Sequence, residues 1–164
     1  MNTELEKPWK DLDKYVKGRL MEAKYESELA LKFLEAGLYR NAAGKAFQAF
    51  KALIAALAAR HRDSLAQRYS GIRRLRNGKM VEYVDWLIAM VPTGLMLELA
   101  RDLAAFEGAE LVNYANVALN LHEFQYNGLD RSGVLNRYAR LGSVEDDVRV
   151  LTSYVMKRAN ELEG

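Results

Sequence analysis

At 164 residues, half of them apolar and 28% charged, the chain suits a single domain and is too rich in apolar side chains for wholesale disorder. Its 46 Ala and Leu outnumber its 17 Val, Ile and Thr, a ratio that favours helices over strands. The formal charge is only +2, and the absence of cysteine excludes disulfide frameworks, thiolate metal sites, iron–sulfur clusters and cysteine nucleophiles.

The stretch from Met1 to Lys17 is charged throughout and lacks the apolar run of a secretory signal. Apolar runs near Ala52–Ala59 and Val84–Val91 fall short of the ~20 residues that span a bilayer. A cytoplasmic protein with no membrane partner is the expectation. Prolines stand only at Pro8 and Pro92, so 83 consecutive residues are free of the residue that most disrupts a helix interior. From Leu5, the positions Trp9, Leu12, Val16, Leu20, Ala23, Ser27, Ala30 and Leu34 recur at three- or four-residue steps. They predict a first helix over about residues 8–36, with Pro8 in its first turn and Gly37 closing it.

A second helix is predicted from Tyr39 or Arg40 to at least His61, extending as far as Tyr69. Its apolar positions, Ala42 to Ala58, cover far more than one stripe and mark it as the enclosed, central helix. Leu38 and Tyr39 make a short connection, so helices 1 and 2 form an antiparallel hairpin. The alanines and Gly44 suit close backbone approach, although helix propensity accounts for the alanines equally well.

Tyr69-Ser70-Gly71 and Asn77-Gly78 bracket a turn-prone stretch. Met80, Val81, Val84, Leu87, Ile88 and Val91 then predict a third helix ended by Pro92, with Thr93 as N-cap of the next. Gly108 divides that helix from one running to Asn127-Gly128. A short helix around Val134–Leu141 follows, and Ser143 caps a last helix reaching about Leu162.

Charge is unevenly placed. From Arg60 to Lys79 the chain holds Arg60, Arg62, Arg68, Arg73, Arg74, Arg76 and Lys79 against the single acid Asp63, a local +6 against −4 elsewhere. These cations could contact phosphates, with Tyr69 stacking a base; a solvated helix end that pairs with acids elsewhere explains them as well. Only His61 and His122 remain for acid–base or metal chemistry beside the carboxylates. His122-Glu123 begins a His-Glu-x-x-His zinc motif, but its fifth position is Tyr126, and Leu119 breaks the Glu-x-x-His di-iron pattern. Glu98, Asp102, Glu107 and Glu110 suggest a solvated acidic face rather than a cation site. Phosphate loops of the Gly-x-Gly-x-x-Gly or Gly-Lys-Ser/Thr type do not occur. No metal or cofactor is implied. At helical spacing His122 and Tyr126 share a face, one a candidate general base and the other a positioning group, or else both are packing residues with polar tips.

Val91-Pro92-Thr93-Gly94, then Leu121-His-Glu-Phe-Gln-Tyr-Asn-Gly128, following the basic stretch and Asp85-Trp86-Leu87-Ile88-Ala89, resemble the archaeal PaREP1 family over about residues 10–160. In that family the string usually continues into a proline-containing turn, where this chain has Leu129-Asp130. More distantly, the segment from Leu34 to Ala52, with Gly37, Tyr39, Ala42, Ala46, Gln48 and Lys51, resembles the second-helix entry of HEPN domains. That resemblance implies a helical bundle that commonly dimerises, and a role as partner of minimal nucleotidyltransferases or as a metal-independent RNase. HEPN RNases carry an arginine separated by four to six residues from their histidine. Here those positions hold Ala115, Asn116 and Val117 before His122, and Ile54, Ala55 and Ala56 before His61.

Together these readings predict an all-α, HEPN-like antiparallel bundle with a four-helix core and additional C-terminal helices. The expected function is a non-catalytic binding or interaction module, homodimeric through helices 1 and 2, with a nucleotidyltransferase-type partner. The alternative is a nucleic-acid-binding or RNA-cleaving protein using the Arg60–Lys79 cations and His122 with Tyr126.

Overall fold

A computed structural model describes residues 4–164. The chain is an all-α bundle with one small β-hairpin: α1 (Leu12–Glu35), α2 (Tyr39–Arg60), α3 (Arg62–Arg68), β1 (Ile72–Arg74), β2 (Met80–Glu82), α4 (Tyr83–Met90), α5 (Met96–Glu107), α6 (Glu110–Asn127) and α7 (Leu141–Glu163).

α2 forms the axis. Ala52 to Ala59 are all buried, and the helix packs against α1, α4, α5, α6 and α7. Its excess of apolar positions is thus absorbed within one chain, which removes that excess as a reason for dimerisation through α2. By length and composition Tyr39–Arg60 could cross a membrane, but 83% of its apolar window is covered by protein. Four helices, α1, α2, α6 and α7, make the core. The additions are inserted between α2 and α6 rather than appended at the C-terminus, because the final helix carries its own inward stripe of Val144, Val148, Leu151, Val155 and Ala159.

Local chemistry sets the ends of the elements. Asp11 caps α1 by accepting from the Lys14 N–H at 3.0 Å, so Pro8 lies in a preceding turn rather than in the first turn of the helix. At the other end Gly37 adopts φ +75, and the Leu38 N–H reaches back to the Phe33 carbonyl at 2.9 Å. That left-handed closure turns the chain directly into α2. α2 stops at Arg60 and α3 begins after His61, so the predicted continuous run to Tyr69 is broken.

Where a loop leading into a third helix was expected, the chain makes an antiparallel hairpin with Arg73 opposite Val81 and Arg74 opposite Met80. Asn77-Gly78 drives the turn: Gly78 takes φ +84 and the Asn77 side chain accepts from the Lys79 N–H at 3.0 Å. Met80 to Glu82 are therefore strand, and helix begins only at Tyr83. α4 ends at Val91 with φ +37, a left-handed conformation rare for a β-branched residue. Pro92 disfavours the helical conformation for the residue before it, which accounts for the stop at Val91. Thr93 opens a single 3-10 turn instead of capping α5.

Two further expectations fail after α6. Residues 134–140 form bends and irregular backbone, because Asp130 gathers the backbone N–H groups of Ser132, Leu135 and Asn136 that a helix would use. α7 begins at Leu141, leaving Ser143 inside the helix rather than at its cap.

Candidate functional site

The seven cations of the basic segment divide by what they touch. Arg62 is bound inward, its Nε 2.7 Å from Asp85 Oδ1, with Glu82 and Asp63 also in contact. Those carboxylates hold its pKa well above the ordinary arginine value. Asp85, which interrupts an apolar run in sequence, is thus the buried partner that fixes the hairpin to the α3–α4 corner. Arg68 pairs with Asp102 at 2.8 Å, and Tyr69 donates to the other oxygen of the same carboxylate at 2.5 Å. The Tyr69 hydroxyl is therefore committed within the fold. Asp102 is not a solvated acid either, since only 12% of its side chain is exposed.

The other five cations, Arg60, Arg73, Arg74, Arg76 and Lys79, take no carboxylate partner among the described residues. Arg73 lies over Trp86, 4.4 Å from the ring centroid, and over Tyr83 at 5.1 Å. Lys79 stands 6.0 Å above Trp9. Strand alternation puts Arg73 and Val81 on the ribbon face packed toward α4, while Ile72, Arg74 and Met80 project from the other face. Arg76 sits in the turn, exposed. The ribbon thus carries Arg74 on its outer face and Arg76 in its turn, cations that could contact phosphates.

His122 lies elsewhere. α2 and α6 run antiparallel, so Phe47 faces His122, with ring centroids 4.1 Å apart, and the Gln125 amide rests against Gly44. Phe47 and Arg60 are separated by thirteen residues of α2, about 20 Å along its axis. The fold therefore does not bring His122 to the basic segment. Tyr126 meets the imidazole edge-on at 5.1 Å, with its own side chain largely exposed. Burial, reinforced by the nearby Lys51 ammonium, holds the His122 pKa below its ordinary value. Its Nδ1 is buried with no hydrogen-bond partner. A neutral imidazole beside an ammonium could take up a proton, but no carboxylate orients the ring. Asn116, nearest to the expected arginine position, donates to the Val112 carbonyl of its own helix.

His61 has a different environment. Its Nε2 lies 2.7 Å from Glu107 Oε1 while its ring stacks on Phe106 at 4.5 Å, and Glu107 also binds Arg158 of α7. Glu107, placed on a solvated acidic face by sequence, is 9% exposed and ties together the ends of α2, α5 and α7. Sequence offered no sign of this cluster, because its members are far apart in the chain. No group of three or more His, Asp or Glu side chains converges as metal ligands among the described residues.

In comparisons with known proteins, the model of the archaeal PaREP1/PaREP8 family matches residues 18–149. No curated protein and no solved structure matches the chain.

Proposed function

The chain belongs to the archaeal PaREP1/PaREP8 family, and we propose that it works as a non-catalytic binding protein that holds a nucleic-acid backbone on its β-hairpin. The observation that carries this reading is the unpaired state of the ribbon cations. Arg62 and Arg68 are consumed by buried carboxylates, whereas Arg74 and Arg76 project without an acid and Arg73 and Lys79 are laid over indole rings. Cations that do not serve the fold remain available to replace the counterions of a phosphate chain. The reading is tested by anisotropy titrations of labelled single- and double-stranded oligonucleotides across a salt series. Neutralising Arg74 and Arg76 is expected to weaken binding on all sequences and to lower the salt slope by about one per side chain removed. Binding that ignores both salt and these substitutions overturns it.

The RNA-cleaving alternative is disfavoured by the distance between His122 and the basic ribbon. It predicts loss of cleavage in His122→Ala, whereas the binding reading predicts no cleavage by either protein. Homodimerisation retains one supporting observation, the exposure of Met21 (58%) and Tyr25 (43%) on one face of α1. Sedimentation showing only the 18.6 kDa species at micromolar concentration rejects it.

A further inference from the structure

We propose that the cleft between the start of α6 and the second half of α7 binds a phosphate monoester group. The cleft has a volume of about 670 Å³, with Tyr114 on the α6 side and Arg149, Ser153, Tyr154, Lys157 and Arg158 on α7. At four-residue spacing the α7 side chains fall on one side of that helix.

Two unmet donors mark the floor. Tyr154 is 8% exposed, yet its hydroxyl is buried without a hydrogen-bond partner, and the Arg158 Nε beside it is also buried and unpartnered. Leaving such groups unmet is costly, so native folds pair nearly all of them. The Tyr154 ring cannot turn away freely, because Tyr114 stacks on it with centroids 3.9 Å apart and planes 11° apart. Burial pushes the phenol up to about 12, so at neutral pH it carries its proton. If Arg158 Nε–H were to donate to the phenolic oxygen, the phenolic hydrogen would still lack an acceptor. What the floor requires is an acceptor oxygen.

The rim supplies charge. Lys157 is exposed and takes no carboxylate partner among the described residues, and Arg149 is held only by Glu145 at 3.2 Å in an exposed pair that is readily redirected. With Ser153 there are five donors, more than the two oxygens of a carboxylate can use and well matched to the terminal oxygens of a phosphate. Glu161 is bound to Arg158 at 2.6 Å. Glu110 also lines the cleft and opposes an anion, so its neutralisation should tighten binding.

The test is an amide NMR titration with inorganic phosphate at constant ionic strength, in a background where Arg74 and Arg76 are neutral, which keeps the hairpin out of the measurement. Saturable shifts at Tyr114, Ser153, Tyr154 and Lys157 are expected. Lys157→Met, an exposed change that leaves the core intact, should weaken binding several-fold; Tyr154→Phe should weaken it about tenfold, and Glu110→Gln should strengthen it. Single-stranded oligonucleotides with a 5′-phosphate or a 5′-hydroxyl identify the source. Shifts with the phosphorylated strand alone assign a nucleic-acid end, and shifts with inorganic phosphate but neither strand assign a small phosphate monoester. If phosphate leaves the cleft amides unmoved, or acts equally in wild type, Lys157→Met and Tyr154→Phe, the proposal fails whatever the hairpin does.

Discussion

The hydroxyl of Tyr15 donates to the backbone carbonyl of Ile88 at 2.7 Å, joining α1 to the C-terminal end of α4 across 73 residues of chain. Arg19 extends the contact, its Nη2 donating to the Ala89 carbonyl at 2.9 Å and its Nε to the Tyr15 oxygen at 2.9 Å. The carbonyls at the end of α4 would otherwise be unsatisfied, because the chain leaves the helix through the left-handed Val91. Burial pushes the Tyr15 phenol above its ordinary value and keeps it a donor. Tyr15→Phe keeps the ring and strands a buried carbonyl, so it should lower stability by about 1–3 kcal/mol. In urea the midpoint should fall with the slope unchanged; an unshifted midpoint would mean that the bond contributes nothing net.

Glu107 carries a comparable burden with charged partners. Its two oxygens serve His61 and Arg158, and its side chain is less exposed than either of theirs. Glu107→Gln retains the shape but leaves the part-buried guanidinium without its anion. A loss of about 2–4 kcal/mol is expected, at the lower end if Glu161 compensates for Arg158. A double-mutant cycle with Arg158→Met measures the coupling, and additive losses would show the pair to be energetically independent.

These two contacts show what could be read from the chain and what could not. The helices were legible because their stability rests on a repeating apolar stripe, as in Leu20, Ala23, Ala30 and Leu34, and their stops rest on local chemistry at Gly37, Gly108 and Gly128. The basic segment was legible as composition. Its division was not, since whether Arg62 is spent and Arg74 is free depends on Asp85 and on strand alternation. Three-residue strands are too short to establish a period of two, so Met80-Val81 read as the start of a helix. Glu107, Asp102 and Tyr154 went unrecognised because a buried polar group is defined by partners distant in sequence.

His122 offers a pH test. Burial first and Lys51 second hold its imidazole below the ordinary value, with Tyr126 against its edge and no carboxylate in contact. The Hε1 resonance should therefore titrate below ~6.5. Lys51→Met should raise that midpoint only part of the way, because desolvation remains. The unfolded chain takes up this proton first as pH falls, so the His122 contribution to stability is complete above the unfolded value and is lost between there and the lower folded value. A midpoint at or above the ordinary value, or one unmoved by Lys51→Met, contradicts this account of the site.

The loop after α6 makes the opposite prediction for a carboxylate. Asp130 organises this loop through its side chain. One oxygen accepts from the Ser132 hydroxyl at 2.5 Å and its N–H at 3.1 Å; the other accepts from the N–H groups of Leu135 at 2.5 Å and Asn136 at 3.0 Å. These donors, with the Ser132 hydroxyl the largest contributor, hold the carboxyl at about 2, below its ordinary value. As pH falls, the unfolded chain takes up this proton before the folded chain does. The loop's contribution is therefore intact above ~4 and is lost as pH falls through the folded value. The amide resonances of Leu135 and Asn136 should move together with a midpoint near 2, and exchange protection should be lost with them. Val134 and Leu135, 80% and 84% exposed at the loop tip, contribute little burial that could hold the loop once the carboxylate is protonated. Asp130→Asn should reproduce the acid state at neutral pH, with the Ser132 and Leu135 amides shifted and the helices unchanged. If those two amides instead titrate near 4, or keep their positions in the Asn variant, the carboxylate is not what orders this loop.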